Sequence, residues 1–284
     1  MALALLLHPA QTLALDDWTI HPSTVIGLTA LGWLYFRRAR SAQGVGPSTG
    51  QRVAFCSGLL LLFLILNGPL HDLSDFYLFS GHMVQHLIME LIVPPLLIAG
   101  TPGWMLRPAL GWPVVGALAR RITTPIMAFA IFNVTLSIWH IPALYNTALL
   151  HHNVHILQHV TFLVASVLMW WPFMSSLPEL PRLSYPGQML YCFLMTLPMS
   201  VVAIYIAMAD SVLYPLYASS PRLWGISPKM DQLIGGLIMW IPGGLFFYGV
   251  MTVVFFRWQR QGAGGDGADE AQGSRGALAA VPSR

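Results

Sequence analysis

Two segments of the sequence carry the same histidine motif, H-x-x-Q-H. The motif comprises His82, Gln85 and His86 in the first segment and His155, Gln158 and His159 in the second. Residues four positions apart lie on the same face of a helix, about one turn from each other, so each segment presents a pair of imidazoles. Imidazole nitrogens bind copper, zinc and iron. Two such helices side by side, with their pairs at the same depth, would enclose one or two metal ions.

Other polar residues near the two motifs are candidates for the same site. They are His140 as a further ligand and Glu90, Asp231, His151, Met83 and the motif residues Gln85 and Gln158 as auxiliary residues. Glu90 follows His86 by one turn, and a carboxylate inside a membrane helix needs a partner, so we interpret it as a partner of a histidine, a proton relay or a neutral acid. The thioether of Met83 favours Cu(I), although methionine also fills gaps in apolar cores. We expect His71 to be interfacial and Asp75 to cap a helix.

The composition defines the class of protein. The chain has 284 residues, of which 56% are hydrophobic and 9% are charged, and its mean hydropathy is +0.64. A soluble domain carries about 25% charged residues, so this chain lacks the charge to cover a water-facing surface. The small net charge of +3 does not favour nucleic-acid binding, and two cysteines exclude a disulfide framework. The chain is therefore expected to be an integral membrane protein.

Seven stretches are long and apolar enough to cross a bilayer as helices, which requires about 20 residues each. They are residues 18–36, 53–70, 76–100, 125–141, 153–172, 187–208 and 231–256. We expect an all-α bundle of seven transmembrane helices over 18–258, an extracytoplasmic lead at 1–17 and a disordered, Gly/Ala-rich cytoplasmic tail at 259–284. Within the third stretch, Pro94 and Pro95 are expected to break the ladder of backbone hydrogen bonds, because neither has a backbone N–H.

Arginines set the expected orientation of the bundle. They cluster in alternate connections and in the tail, at Arg37, Arg38, Arg40, Arg52, Arg107, Arg120, Arg121, Arg182, Arg257 and Arg260. Cytoplasmic loops carry an excess of Lys and Arg, so these connections and the C-terminus are predicted to be cytoplasmic and the N-terminus to lie outside. The ends of the spans that carry the histidine motifs then face outward, and the predicted metal site lies near the outer surface of the membrane.

Several longer motifs surround these residues in a fixed order. They are HMVQHLIMELIVPPLLIAGTP at 82–102, WHIPALYNTAL at 139–149, HHNVHILQHVTFL at 151–163, WWP at 170–172 and DQLIGGLIMWIPGG at 231–244. In this combination the sequence resembles the multi-spanning CtaG-like family of cytochrome c oxidase assembly factors. The resemblance covers the third, fourth, fifth and seventh predicted spans.

The resemblance implies a non-enzymatic assembly factor in the inner membrane of a bacterium. It implies copper, as Cu(I), bound at the outer face and used to metallate a subunit of cytochrome c oxidase, with a periplasmic copper chaperone as a candidate donor. The residues that match the family's motif positions are His82, His86, His140, His155 and Asp231, with His159 fitting less tightly. The expected partners are the lipid bilayer, the oxidase subunit and the copper chaperone. The chain could also form a homo-oligomer, and binding of nucleic acid is not expected.

Three other interpretations of the histidines stay open at this point. A b-type haem could be held between His86 and His159. A transporter of copper or protons could use Glu90 and the proline-broken third span as its pathway. The histidines could also serve only to pack helices together. The sequence lacks H-E-x-x-H, G-x-S-x-G and P-loop motifs, so an enzyme is not expected.

Overall fold

A computed structural model describes residues 18–41 and 46–279 of the chain, with side chains as far as Gln261. Every regular element in these residues is helical, and none of them forms a strand. The predicted all-α class is therefore confirmed. The predicted extracytoplasmic lead, 1–17, lies outside the described residues.

The helices of the described residues differ widely in length. They are α1 Pro22–Ser41, α2 Thr49–Leu66, α3 Pro69–Asp72, α4 Phe79–Gly100, α5 Gly103–Leu110, α6 Pro113–Ile122, α7 Pro125–Trp139, α8 Pro142–Leu150, α9 His152–Met174, α10 Tyr185–Met208, α11 Pro215–Ser219 and α12 Pro228–Ala279. A π turn, Leu73–Tyr77, follows α3, and a second, Ile88–Ile92, lies inside α4. The backbone of α12 is helical past residue 259, where the tail was predicted to begin, but its side chains are described only to Gln261, so the disorder of the tail stays a prediction.

Five of these helices are long and apolar enough to cross a membrane: α2, α4, α9, α10 and the part of α12 up to Gln261. A sixth span is present only if α6 and α7, which meet at a bend of 78°, are counted as one. The first predicted span corresponds to α1, which has 20 residues but carries Arg37, Arg38 and Arg40 near its end. By length and composition the described residues therefore form a multi-pass membrane protein with five or six spans, where the sequence predicted seven.

Helix α4 lies at the centre of the bundle. Its first half packs on α12 and its second half on α2, while α9 also contacts it. Close packing of membrane helices depends on small residues. A Cβ added at Gly100 of α4 would lie 2.5 Å from the backbone nitrogen of Phe55 in α2, and one added at Gly236 of α12 would lie 2.9 Å from the backbone nitrogen of Ala207 in α10. Gly100 thus allows α4 to pack closely on α2, and Gly236 allows α12 to pack closely on α10.

The two prolines of α4 interrupt its ladder of backbone hydrogen bonds without ending the helix. Pro94 and Pro95 lack the N–H groups that would reach back four or five residues to the carbonyl of Glu90. The π turn Ile88–Ile92 precedes them, and the helix continues beyond them. The carbonyl of Glu90 accepts a hydrogen bond of 2.9 Å from Nε1–H of Trp170 in α9. A side chain of a neighbouring helix thus satisfies the freed carbonyl and joins α4 to α9.

Replacing Trp170 by phenylalanine is expected to destabilise the protein by about 1 kcal/mol, because an aromatic ring still fills the space while the Glu90 carbonyl loses its donor. The measurement is the unfolding of the purified protein in detergent. Trp171→Phe is the matched control, because Nε1 of Trp171 has no hydrogen-bond partner among the described residues. Equal destabilisation by the two substitutions would contradict this role of the Trp170 hydrogen bond.

Candidate metal centre

The two H-x-x-Q-H motifs face each other at one end of the bundle. The first lies at the start of α4 and the second at the start of α9. Between ring centroids, His159 lies 5.5 Å from His86 and 6.3 Å from His82. The rings of His82 and His155 are 6.2 Å apart. The structure therefore brings the four motif histidines together at one end of the bundle.

Three of these histidines, His82, His86 and His159, form a triad in which one ring nitrogen of each lies within 4.8 Å of the others. All three side chains are buried, and His82 is fully enclosed. Both ring nitrogens of His82 and the Nε2 atoms of His86 and His159 have no hydrogen-bond partner among the described residues. A buried polar atom without a partner costs about 1–3 kcal/mol. The lone pairs of the triad fit a cation that takes the place of those partners, and imidazole ligands suit copper or zinc.

Two histidines at this site are held through their Nδ1 atoms. Nδ1 of His86 lies 3.1 Å from Oε1 of Glu90, one turn further along α4. Nδ1 of His140 lies 2.7 Å from the backbone carbonyl of Leu136. When Nδ1–H donates to an oxygen, Nε2 keeps its lone pair, which is the usual arrangement for a metal-binding histidine. Glu90 is thus a partner of His86, one of the three roles that its position in the sequence suggested.

A second group of ligating side chains lies beside the triad and consists of His71, Asp75 and His155; we call it the Asp75 group. Oδ2 of Asp75 lies 3.3 Å from Nε2 of His71 and 3.3 Å from Nδ1 of His155. Burial raises the pKa of the Asp75 carboxyl well above its usual value and lowers the pKa of the His71 imidazole well below its usual value, because a charge is costly away from water. The rings of His155 and His159 are 4.4 Å apart, so the two groups are neighbours.

The position of His71 and Asp75 differs from the expectation. The sequence indicated an interfacial histidine and a helix cap, but His71 is only 4% exposed and Asp75 contacts two histidines. The reason is that the chain between α2 and α4 folds inward as α3 and the π turn Leu73–Tyr77 instead of crossing the surface as a loop. The four-residue spacing from His71 to Asp75 was a signal that both side chains share a helical face.

Of the other predicted site residues, His140 and Met83 lie near the triad, whereas His151 does not. His140 and Met83 line a small cavity together with His86 and Glu90. His140 therefore lies beside the triad, on the side where α7 ends. His151 is exposed at the start of α9 and belongs to neither the triad nor the Asp75 group.

The two motif glutamines lie behind the histidines. Gln85 donates a hydrogen bond from Nε2 to the backbone carbonyl of Ile65, and the same atom lies 3.0 Å from Nδ1 of His71. Gln158 is buried, and its Oε1 has no hydrogen-bond partner among the described residues. Gln85 thus contacts His71, and its auxiliary role at a metal site stays a prediction.

Asp231 of α12 caps the start of α4 from across the bundle. Its carboxylate accepts hydrogen bonds from the backbone N–H of Phe79, at 2.7 Å, from the N–H of Ser80, at 3.0 Å, and from the Ser80 hydroxyl. The first N–H groups of a helix have no partner within the helix, and a negative charge there is favourable. Asp231 therefore fixes the turn of α4 that precedes His82, and its oxygens are occupied by this cap.

Buried tyrosines pack against the triad. The ring of Tyr145 lies 5.1 Å from the ring of His82. The hydroxyl of Tyr217 donates to the carbonyl of Ser74 at 2.7 Å, so the hydroxyl of Tyr145, which is 3.0 Å from that of Tyr217, is the donor of that second bond. Nothing in the spacing of these tyrosines pointed to the site, because they come from α8 and α11 and meet only in the folded bundle.

Most of the chain matches a known protein family. Residues 30–261 match the model of the cytochrome c oxidase caa3 assembly factor family, Caa3_CtaG. The chain belongs to this family. The match includes the triad and the Asp75 group, and it confirms the resemblance that the motifs indicated.

The chain is also similar to mycobacterial proteins that are described as uncharacterized. It is 26% identical over 251 residues to one such protein from Mycobacterium bovis and to one from Mycobacterium tuberculosis. The aligned residues make up 82% of this chain and 37% of each relative. One from Mycobacterium leprae is 25% identical over 260 residues, which is 84% of this chain and 39% of the relative. The chain thus spans less than two fifths of the length of these relatives. No solved structure matches it.

Proposed function

We propose that this assembly factor binds copper as Cu(I) at the triad and passes it to a subunit of cytochrome c oxidase. The observation that carries the proposal is the set of buried imidazole nitrogens that converge without hydrogen-bond partners among the described residues. A bound ion would take up these lone pairs and offset the cost of burying them. Copper is then the cargo of a carrier, and the protein need not catalyse a reaction.

The donor set of the triad favours Cu(I) over a divalent ion. All three ligands are neutral imidazoles in a buried site, and burying one positive charge costs less than burying two. Glu90 lies behind His86 and supplies one carboxylate, which matches a single positive charge. Met83 lines the same cavity as His86, and its thioether is a soft donor of the kind that Cu(I) prefers.

A carrier must also release its ion. Thiolates are the soft ligands that select Cu(I) most strongly, and the triad contains none. Cys56 and Cys192, the two cysteines of the chain, are not part of either metal-binding group in the described residues. Ligation by imidazoles alone suits a donor that passes copper to an oxidase subunit. We propose that a periplasmic copper chaperone loads the site from the outer side.

The haem alternative fits this geometry less well. A haem held by His86 and His159 needs a flat slot between the two rings. His82 instead places a third nitrogen within 4.8 Å of both, and the ring of Phe162 lies 4.6 Å from that of His86. Side chains therefore occupy the space that a porphyrin would need.

A transporter would differ from a carrier because it would move copper into sealed vesicles that contain the purified protein.

His86→Ala and His159→Ala are each expected to weaken Cu(I) binding by at least about tenfold, because each removes one of three ligands. Cu(I) is added without air to the purified full chain and competed with a chromophoric chelator, and the absorbance spectrum is checked for the Soret band of a haem. His151→Ala is the control, because this exposed histidine lies outside the triad. Wild-type affinity in both triad variants, or a haem in the purified protein, would overturn the proposal.

We further propose that the bundle has seven spans, with the N-terminus and the histidines outside and the C-terminus in the cytoplasm. The distribution of arginines supports this orientation, and α1 and α7 would add to the five long helices. Green fluorescent protein fused after Arg284 is expected to fluoresce, and alkaline phosphatase inserted after Gly225, in an exposed turn, is expected to be active. Phosphatase activity at the C-terminus instead would reverse the orientation.

A further inference from the structure

The distances within the Asp75 group are unusual for a hydrogen-bonded cluster. Oδ2 of Asp75 lies 3.3 Å from Nε2 of His71 and 3.3 Å from Nδ1 of His155. A charge-assisted N–H···O bond is about 2.7–2.9 Å long, so both distances are too long for strong hydrogen bonds. Two ligands bound about 2.1 Å from a tetrahedral metal ion lie about 3.4 Å apart. Both distances from Asp75 therefore match ligands around one ion, and one ligand atom of each of the three residues lies within 4.8 Å of the others.

We propose that His71, Asp75 and His155 form a second metal site, distinct from the triad, that takes a divalent ion of the Cu²⁺ or Zn²⁺ class. The site stands on its own geometry and does not require that the triad carry Cu(I). It would allow the protein to hold two ions of different charge next to each other, because the rings of His155 and His159 are 4.4 Å apart.

The donor set explains why this site would take a divalent ion. A carboxylate oxygen with two imidazole nitrogens is a harder and more negative set than the three imidazoles of the triad, and it is typical of Zn²⁺ and Cu²⁺. Both ion-pair partners of Asp75 among the described residues are histidines, and neither is an arginine or a lysine. A buried carboxylate with no permanent positive charge beside it is costly, and a bound cation would supply that charge.

The surroundings of the Asp75 group fit a metal site. Gln85 places Nε2 3.0 Å from Nδ1 of His71, and its Oε1 has no partner among the described residues. The same Nε2 also donates to the backbone carbonyl of Ile65, so this amide holds the ring of His71 in place from behind. The ring of His21 lies 4.6 Å from that of His71 and 5.9 Å from that of His152, which is exposed. The group thus lies between the surface of the bundle and the triad.

The test uses the purified full chain in detergent, stripped of metal, with His82→Ala and His159→Ala combined to remove the triad. This protein is expected to bind one Cu²⁺ ion in air, with an electron paramagnetic resonance signal of mixed nitrogen and oxygen ligation, and to release it to excess Zn²⁺. Adding Asp75→Asn is expected to weaken Cu²⁺ binding by at least about tenfold, because the charged ligand is lost. His151→Ala in the same background is the control and is expected to leave the affinity unchanged.

The asparagine variant separates the two possible roles of the group. Asparagine keeps the shape of aspartate and can still hydrogen-bond to a histidine. If the group forms only hydrogen bonds and does not bind the ion, Asp75→Asn would leave the Cu²⁺ affinity of the protein unchanged. His71→Gln is measured as well, so that unfolding of one variant does not decide the result. Absence of Cu²⁺ binding in the protein without the triad, or unchanged affinity in both variants, would overturn the second site. Cu(I) binding by the triad is measured separately in Asp75→Asn, so the two proposals can fail independently.

Discussion

A strain in which His82, His86 and His159 are all replaced by alanine is expected to make cytochrome c oxidase that contains its haems but lacks copper. The triad holds the proposed cargo, and the triple substitution removes all three of its imidazole ligands. Copper and haem are measured in the purified oxidase, together with its activity in membranes. The copper content is expected to fall to that of a strain that lacks this protein.

Two controls separate copper delivery from loss of the protein. The amount of the variant in the membrane is compared with the wild type, and His86→Gln is included because glutamine fills much of the space of histidine without its ring nitrogens. Excess copper in the growth medium is expected to restore part of the oxidase activity, because it raises the chance of loading without a carrier. An oxidase with normal copper in the strain that lacks the triad would show that the histidines serve another purpose.

Asp231→Ala is expected to destabilise the protein by about 3 kcal/mol or more, because two backbone N–H groups and the Ser80 hydroxyl would lose their acceptor in a buried place. The first turn of α4 carries the chain to His82, so Cu(I) binding is expected to weaken as well. Unfolding in detergent and Cu(I) competition measure the two effects on the same sample. A stable variant with intact Cu(I) binding would contradict the role of Asp231 as a cap.

The conservative variant provides a graded control for this prediction. Asp231→Asn keeps one oxygen acceptor but loses the negative charge at the helix start, so its stability is expected to lie between those of the wild type and Asp231→Ala. Asp210→Asn removes an exposed carboxylate in the connection between α10 and α12 and is expected to change stability little. A large loss of stability in Asp210→Asn would mean that the Asp231 variants are destabilised by the loss of a negative charge in general, and not by the loss of the helix cap.

The sequence by itself determined the class of protein and one face of its site. With so few charged residues the chain belongs in a membrane, where backbone groups must bond within helices, and so an all-α bundle was predictable. The spacing within each H-x-x-Q-H motif fixed which side chains share a helical face, because that relation depends only on the helix repeat. The alternation of arginine-rich connections predicted that both motifs lie at the same end, and the longer motifs identified the family.

The tertiary structure alone decided which polar groups meet. Asp231 reaches the amide of Phe79, 152 positions away in the sequence, and Trp170 reaches the carbonyl of Glu90, 80 positions away. Asp75 likewise joins a histidine of its own turn to one in α9. The helix repeat determines the face on which a side chain lies, but the packing of the helices determines what that face contacts. For this reason the histidine pairs and the neighbouring Glu90 could be found in the sequence, whereas the contacts of Asp75 with His155 and of Asp231 with α4 became visible only in the fold.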